Sequence, residues 1–489
     1  MTRRPDARNR YDAAAQRMSN SPDAARRARV SVLLAFGFLT VFFTGVFPPF
    51  SNPNEFSHFQ TVVAMKEWKT FSIDQAIAVL GDQQDKAEFA GRLYSNKAPG
   101  LAFAAYPVYS LLRLVLPEPR SGTSDAIFYF VRLLTVSLVS AIALRRFALR
   151  LKALRKGAAV APLVTLAIAL GTPFLFYART FFSHAWTASL LFLSWDLLRL
   201  AENPGAHRRW SRVAGAGLLA GWALISEYNV APMTLLLALR AAAGAERLKK
   251  VSAFAAAAAV PVALLLFYNA ICFGSPWTLS SAREASPEFA RLIRTGVFGF
   301  GPPSLRIAIA YLFHPARGVF VFSPFLLWCV PGFWEWWRSG EERSDFLLAA
   351  GATALYFLVM TGYPNWHGGW CLGSRYLLPA LLFPAMAVGR ALATPLSRGL
   401  FAAAAVFSIA NHFLLTASFP YFPYDLPWPA ATGSEWFLAR GWVAPSLLPE
   451  SFGGGLAALA LAGMAFLLPL IFSLRAASPM LPREAVAVL

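Results

Sequence analysis

Apolar runs of membrane-span length recur along the chain, with polar residues gathered between them and not interleaved with them. The first is VSVLLAFGFLTVFFTGVFPPF, residues 30–50. A bilayer core about 30 Å thick takes roughly 20 mostly apolar residues per helix. Further runs lie near 124–144, 158–182, 185–200, 213–226, 229–243, 251–272, 318–337, 345–362, 376–392, 399–418 and 455–474, about twelve in all. None alternates with the period of two that a barrel strand needs, so the pattern predicts an all-α polytopic membrane protein. Composition agrees, since 57% hydrophobic and 14% charged residues are outside the range of a soluble enzyme.

The formal charge of +19 acquires meaning from where the basic residues fall. Arg3, Arg4, Arg8, Arg10, Arg17, Arg26, Arg27 and Arg29 precede the first run and place the N-terminus in the cytoplasm. The next cluster is Arg145, Arg146, Arg150, Lys152, Arg155 and Lys156. Two apolar stretches separate that cluster from the first run, and counting both as crossings would export it. We therefore read 124–144 as a span and 98–117, with its prolines and Arg113, as a helix lying at the outer interface.

Continued to the end, this logic puts both termini in the cytoplasm and loops near 50–123, 273–317, 363–375 and 419–454 on the outer face of a plasma (inner) membrane. The expected organisation is a disordered basic tail over 1–28, one polytopic domain over 29–474 and a cytoplasmic tail over 475–489. The first run lacks a small-residue cleavage site and reads as an uncleaved anchor. The tail reads as an orientation signal and a contact to anionic lipid, and nucleic acid is not an expected partner.

Most of the unusual chemistry falls on the outer face: Glu55, His58, Asp74, Asp82, Lys97, His184, Glu227, Arg283, His314, Arg317, His367 and Arg375. In the first loop, NEFSHFQTVVAMKEWKTFSID is followed by GDQQDKAEFAGRLYSNKAPG. An acid just after the first span, a short helix, and then Tyr-x-x-Lys-x-Pro before an apolar helix resembles the GT-C glycosyltransferases, particularly the protein mannosyltransferase and lipid A aminoarabinose transferase branch. Those enzymes follow the acid with a Lys-Pro-Pro-type motif, where this chain has Lys97-Ala98-Pro99-Gly100. The stretches PARGVFVFSPFLLWCVPG and YPNWHGGWCLGSRYLLPALLFP are also similar to bacterial members of that superfamily.

The resemblance implies a GT-C-like fold with interfacial helices in a long first outer loop. It also implies transfer of a sugar from a polyprenyl-phosphate donor to an extracytoplasmic glycan, lipid or protein, with inversion. That reaction needs a base for the acceptor hydroxyl, and Glu55 is the candidate, with His58 and Asp82 beside it. It needs cations for the departing phosphate, where Lys97 and Arg375 form the natural pair and Arg317 a third. It needs sugar contacts, for which Tyr94, Trp366, His367, Trp370, Glu227 and His184 are candidates.

Each group has a plainer reading. Glu55 can sit in the first turn of a helix starting near residue 54, outer-edge Lys and Arg can snorkel to headgroups, and Trp can form an interfacial belt. The i, i+3 spacing of Glu55 and His58 suits either a divalent metal ion, joined by Asp82, His367 or Glu227, or a hydrogen-bonded pair. No cofactor is required by the pattern. Cys272 and Cys371 lie near the outer face, where one disulfide is an open alternative, and Cys329 lies within a span. A secondary transporter or lipid flippase is the competing class, but no repeated halves are visible and the charges gather in the first loop.

Overall fold

The computed structural model describes residues 22–42, 52–120, 126–153, 157–203, 208–418, 420–440, 443–444, 446–447 and 454–477. The expected tails 1–28 and 475–489 fall mostly outside these residues, as does the end of the first apolar run at 43–50.

The described chain is a helical bundle with one small hairpin. Among the described residues five helices are long and apolar enough to cross a membrane: Ala126–Ala153, Arg247–Phe273, Arg343–Met360, Pro395–Ala417 and Ala457–Leu474. The twelve-span expectation is not matched one helix to one run, because several runs are interrupted. Run 158–182 stops at Leu170, turns through Gly171-Thr172-Pro173 and resumes as the short helix Phe174–Ala178. Run 318–337 divides into Val319–Phe322, a 3-10 turn at Pro324–Trp328 and Cys329–Ser339. Run 376–392 opens as a 3-10 helix, Arg375–Ala380, before Leu382–Val388. Pro173, Pro324 and Pro379 lack the amide hydrogen that a continuous helix needs, which accounts for breaks at these points.

Close helix approach relies on small residues. Helix Arg209–Ser226 lies between Ser183–Ala201 and Arg247–Phe273. Its Gly217 and Gly221 face the latter: a Cβ at Gly217 would sit 2.0 Å from the Phe254 carbonyl oxygen, and one at Gly221 2.6 Å from that of Ala258. This is the small-xxx-small device by which helices pack in a solvent where apolar side chains gain little from meeting each other. The opposite face of Arg247–Phe273 presents Val260, Phe267 and Ile271 outward, as lipid contact requires.

Buried charges at the far end of helix Ser183–Ala201 are fully paired. Asp345 accepts from Arg240 (2.8 Å) and from the Trp195 indole (2.8 Å), and Arg199 reaches it at 2.8 Å. Asp196 takes Arg146 and Arg150 together. These clusters tie helix ends to each other at depth, where an unpaired charge would be strongly unfavourable.

The first loop is more ordered than its sequence announces. Helix Pro53–Glu67 begins with Asn52 capping the Asn54 amide and Pro53 in the first turn. The next element adds a small exception to the helical fold: Lys86–Phe89 and Arg92–Ser95 form an antiparallel hairpin, Lys86 opposite Ser95 and Phe89 opposite Arg92. Its two-residue turn, Ala90-Gly91, has positive φ at both positions, +50° and +74°, the geometry whose twist suits a tight hairpin. Ser57 fastens the helix to the hairpin, meeting the Ser95 hydroxyl at 2.6 Å and donating to the Asp85 carbonyl at 2.7 Å. The hairpin is also joined by the 273–317 loop, where Ala285 N–H donates to the Lys86 carbonyl (2.9 Å). The apolar stretch 98–117 becomes helix Gly100–Leu112, 13 residues and hence about 20 Å long, too short to cross a bilayer.

Candidate functional site

Hairpin closure is what assembles the site. Asp85 precedes the first strand and Asn96-Lys97 follow the second, so pairing Lys86 with Ser95 brings them side by side. Lys97 Nζ then lies 2.9 Å from Asp85 Oδ2. Asn96 donates to Glu284 of the second loop at 2.7 Å, and Ser280 Oγ donates to the Asn96 carbonyl.

Two chambers meet at this point, of about 740 and 600 Å³. Asn96, Lys97, Ser281, Ile293, Arg375 and Tyr376 are among the residues that line both. The larger chamber adds Asp85, Glu284, Glu288, Arg291, Asn365 and His367 and is half polar. The smaller adds Asn54, His58, His184, Glu227, Tyr228 and Phe300 and is mainly apolar. Lys97 and Arg375 therefore flank the junction of a polar and an apolar compartment.

Arg375 arrives there from the other half of the chain. Gly368, at φ +70°, lets it in: a Cβ on that residue would lie 2.7 Å from Arg375 Nε. The guanidinium lies over the rings of Phe182 (5.6 Å) and Tyr376 (5.0 Å) and donates to the Tyr376 hydroxyl at 3.2 Å. Its Nε is buried without a partner, and among the described residues no carboxylate pairs with it. A planar cation stacked on aromatic rings and left without an anion is prepared to receive one.

His184 and Glu227 share the smaller chamber. His184 Nδ1 and Glu227 Oε1 are 3.0 Å apart, both side chains are buried, and Tyr376 stands edge-on to the imidazole at 5.8 Å. His58 also faces this chamber, packed edge-on to Phe181. Burial and then Lys97 push its imidazole down to about 3, so it stays neutral across the physiological range.

Several expected site residues lie elsewhere. Glu55 is in the first helical turn and 4% exposed, but Asn54 and His58 of that helix reach the cavity and Glu55 does not. Phe181 N–H donates to its Oε1 and the Tyr421 hydroxyl to its Oε2 (2.9 Å), with Arg132 and Arg179 nearby. Burial pushes its carboxyl up to about 7, against the pull of these donors and cations. The carboxylate thereby holds three chain segments together.

Asp82 too lies outside the two chambers. It is 64% exposed and pairs with Lys86 on the surface at 2.6 Å, while Asp85 occupies the wall. Arg317 is a structural cation: its nitrogens donate to the carbonyls of Ala316, His367, Gly369 and Phe422, which leaves little for a phosphate. Tyr94 packs into a satellite apolar cluster, its ring 5.4 Å from Phe273. Trp366 packs on Tyr311 and His314, and Trp370 is 55% exposed; neither lines the chambers. His367 does, stacked on Tyr424 at 4.1 Å.

Asp85, Asn96, Glu284, Tyr363 and Tyr376 line the cavity without having been singled out in the sequence. The Ala90-Gly91 turn between alternating segments was the available signal for Asp85 and Asn96. Cys272, Cys329 and Cys371 are free thiols. Among the described residues no three His, Cys, Asp or Glu side chains converge closely enough to hold a metal ion.

No family model and no curated protein matches the chain. Solved structures do. ArnT from Cupriavidus metallidurans in the apo state superimposes with a TM-score of 0.50 at 15% identity, over 92% of this chain and 76% of ArnT. The same protein bound to undecaprenyl phosphate gives 0.48 at 14%, over 95% and 77%. The archaeal oligosaccharyltransferase AglB from Archaeoglobus fulgidus, in complex with an inhibitory peptide and a dolichol-phosphate, gives 0.46 at 13%, over 93% and 56%. The ArnT superposition runs through nearly the whole chain and shows that this chain shares the fold of ArnT.

Proposed function

We propose that the chain is an integral membrane glycosyltransferase that moves a sugar from a polyprenyl-phosphate donor to an acceptor on the extracytoplasmic side, with inversion at the anomeric carbon. The observation that carries this reading is the pairing of Lys97 with a carboxylate-free Arg375 at the junction of a polar and a mainly apolar chamber. The GT-C fold and the Lys97-Ala98-Pro99 segment support it.

A lipid-linked phosphate must place its tail in apolar surroundings and its charge at the boundary. Arg375 presents a planar donor set to the phosphate oxygens and Lys97 a compact charge. As the acceptor oxygen bonds to the anomeric carbon, the bond from that carbon to the phosphate oxygen breaks and its electron pair leaves on the phosphate. Fixed cations in a water-poor cavity stabilise that charge more than water would. The acceptor proton passes to a base on the cavity wall, a place that Glu55 does not occupy. The larger chamber, lined by carboxylates, amides and Tyr363, suits an acceptor rich in hydroxyls. The termini are cytoplasmic in this reading and the loops outside, following the basic clusters.

The test uses purified protein in lipid nanodiscs with a panel of radiolabelled undecaprenyl-phosphate sugars, assayed with and without chelator. Transfer by wild type and its loss in K97A and R375A are expected. A panel without turnover, together with no binding of undecaprenyl phosphate, overturns the reading. Impermeant thiol labelling of D82C from outside intact cells tests the orientation; protection there places the loop in the cytosol and removes the proposal.

A further inference from the structure

We infer that His184 and Glu227 form the proton-accepting dyad of this cavity, with His184 as the catalytic residue and Glu227 as the residue that positions it. The inference rests on the transferase reading above.

The two residues come from different helix ends. His184 opens helix Ser183–Ala201, and Glu227 stands just past Ser226, where helix Arg209–Ser226 gives way to a 3-10 turn at Tyr228–Val230. Glu227 is extended there, at φ −149° and ψ 110°, which carries its side chain out of the helical path. Trp186 and Ser226 tie these ends together, the indole donating to the Ser226 hydroxyl at 3.1 Å. The carboxylate and imidazole that result are both more than nine-tenths buried and both line the smaller chamber, with Lys97 and Arg375 on the same wall.

A carboxylate oxygen 3.0 Å from His184 Nδ1 is placed to accept from it, the arrangement that sets the ring proton on Nδ1. The lone pair is thereby left on Nε2, and that atom is buried without any hydrogen-bond partner. A buried ring nitrogen left unpaired costs stability unless something else engages it. Around the ring, Phe182 stacks at 5.9 Å while Tyr177 and Tyr376 stand edge-on, so the imidazole is fixed in orientation. These parts make a general base: a nitrogen with a free lone pair, a set tautomer, and a carboxylate to stabilise the imidazolium once the proton arrives.

In the step itself, Nε2 takes the proton of the acceptor hydroxyl as that oxygen bonds to the anomeric carbon. The bond to phosphate breaks with its electron pair, which settles beside Lys97 and Arg375. Imidazolium and Glu227 then form an ion pair until the proton is released to water.

The experiment separates binding from chemistry. Undecaprenyl phosphate is the binding probe, and turnover is measured with whichever lipid-linked sugar wild type transfers. H184Q and E227Q are expected to bind the probe within about twofold of wild type while kcat falls at least 100-fold, within the range for general base catalysis, with KM nearly unchanged. E227D is expected to recover part of what E227Q loses, and added imidazole part of what H184A loses. A kcat in H184Q and E227Q within threefold of wild type, with K97A inactive, overturns the dyad and leaves the transferase reading standing. Failure of wild type to bind the probe or to transfer any sugar overturns both. Should H184Q misfold by thermal melt, E227Q and E227D decide: equal activity in the two overturns the positioning role.

Discussion

Lys97 Nζ lies 2.9 Å from Asp85 Oδ2, across the open end of the hairpin, so one of the two cations at the chamber junction is already paired within its own protein. Arg375 on the same wall has no such partner. A phosphate entering here competes with Asp85 for Lys97 but meets Arg375 unopposed, which gives the two cations different weights.

D85N should therefore tighten binding of undecaprenyl phosphate several-fold by releasing Lys97, while R375A should weaken it more than K97A does. R375K should recover little, because lysine replaces neither the planar donor set nor the stacking on Phe182 and Tyr376. Tryptophan quenching or competition binding in nanodiscs gives the order. Weaker binding in D85N would show that Asp85 assists the phosphate and does not compete with it.

Arg317 should behave as a structural residue. Its side chain is 1% exposed and satisfies four backbone carbonyls, including two in the glycine-rich turn that admits Arg375. R317A removes a charged donor from each of those buried carbonyls, a loss on the order of 3 kcal/mol or more. We expect a fall of several degrees in melting temperature or failure to fold, where K97A should melt like wild type. A stable R317A with selective loss of phosphate affinity would restore it to the site.

Glu55 and His58 should give opposite pH signatures. Glu55 is raised from 4.5 to about 7, so the folded state holds its proton longer than the unfolded chain and stability falls as pH rises between those values. His58 is lowered from 6.5 to about 3, so stability falls as pH drops through that interval. E55Q should accordingly gain on wild type between pH 5 and pH 8 by roughly 2 to 3 kcal/mol. Melting curves of both proteins at the two pH values check this, and a pH-independent difference would mean that Glu55 stays ionised throughout.

Gly217 and Gly221 should tolerate nothing larger. Even alanine at Gly217 meets the Phe254 carbonyl at 2.0 Å, and separating the two helices costs about 1 to 3 kcal/mol. G217A and G221A should each lower the melting temperature, and G217L should abolish folded protein. Alanine at Gly37 of helix Pro22–Phe42, which has open space around it, is the control.

How much of this the sequence discloses depends on the range of the forces involved. Membrane spans are legible because each is a local matter of some 20 apolar residues meeting lipid, and helices such as Arg247–Phe273 and Pro395–Ala417 fall where hydropathy puts them. Breaks at Pro173, Pro324 and Pro379 are written locally too, but summed hydropathy does not register a missing amide hydrogen. Lys97 and Arg375 could be paired from the chemistry they share. Glu55 could not be placed, since whether a side chain in the first turn faces the cavity or the bundle depends on Phe181 and Tyr421, 126 and 366 residues away. Asp82 and Asp85 differ by three positions, and only the hairpin register decides which of them meets Lys97.

That register has a further consequence. Side chains of adjacent strand positions point to opposite sides, so slippage by one residue would turn Lys97 away from its chamber and present a neighbour in its stead. Deleting either Ala90 or Gly91 would thus silence the lysine as surely as mutating it. A bend some seven residues distant in sequence, touching no substrate, holds a veto over where the charge is delivered.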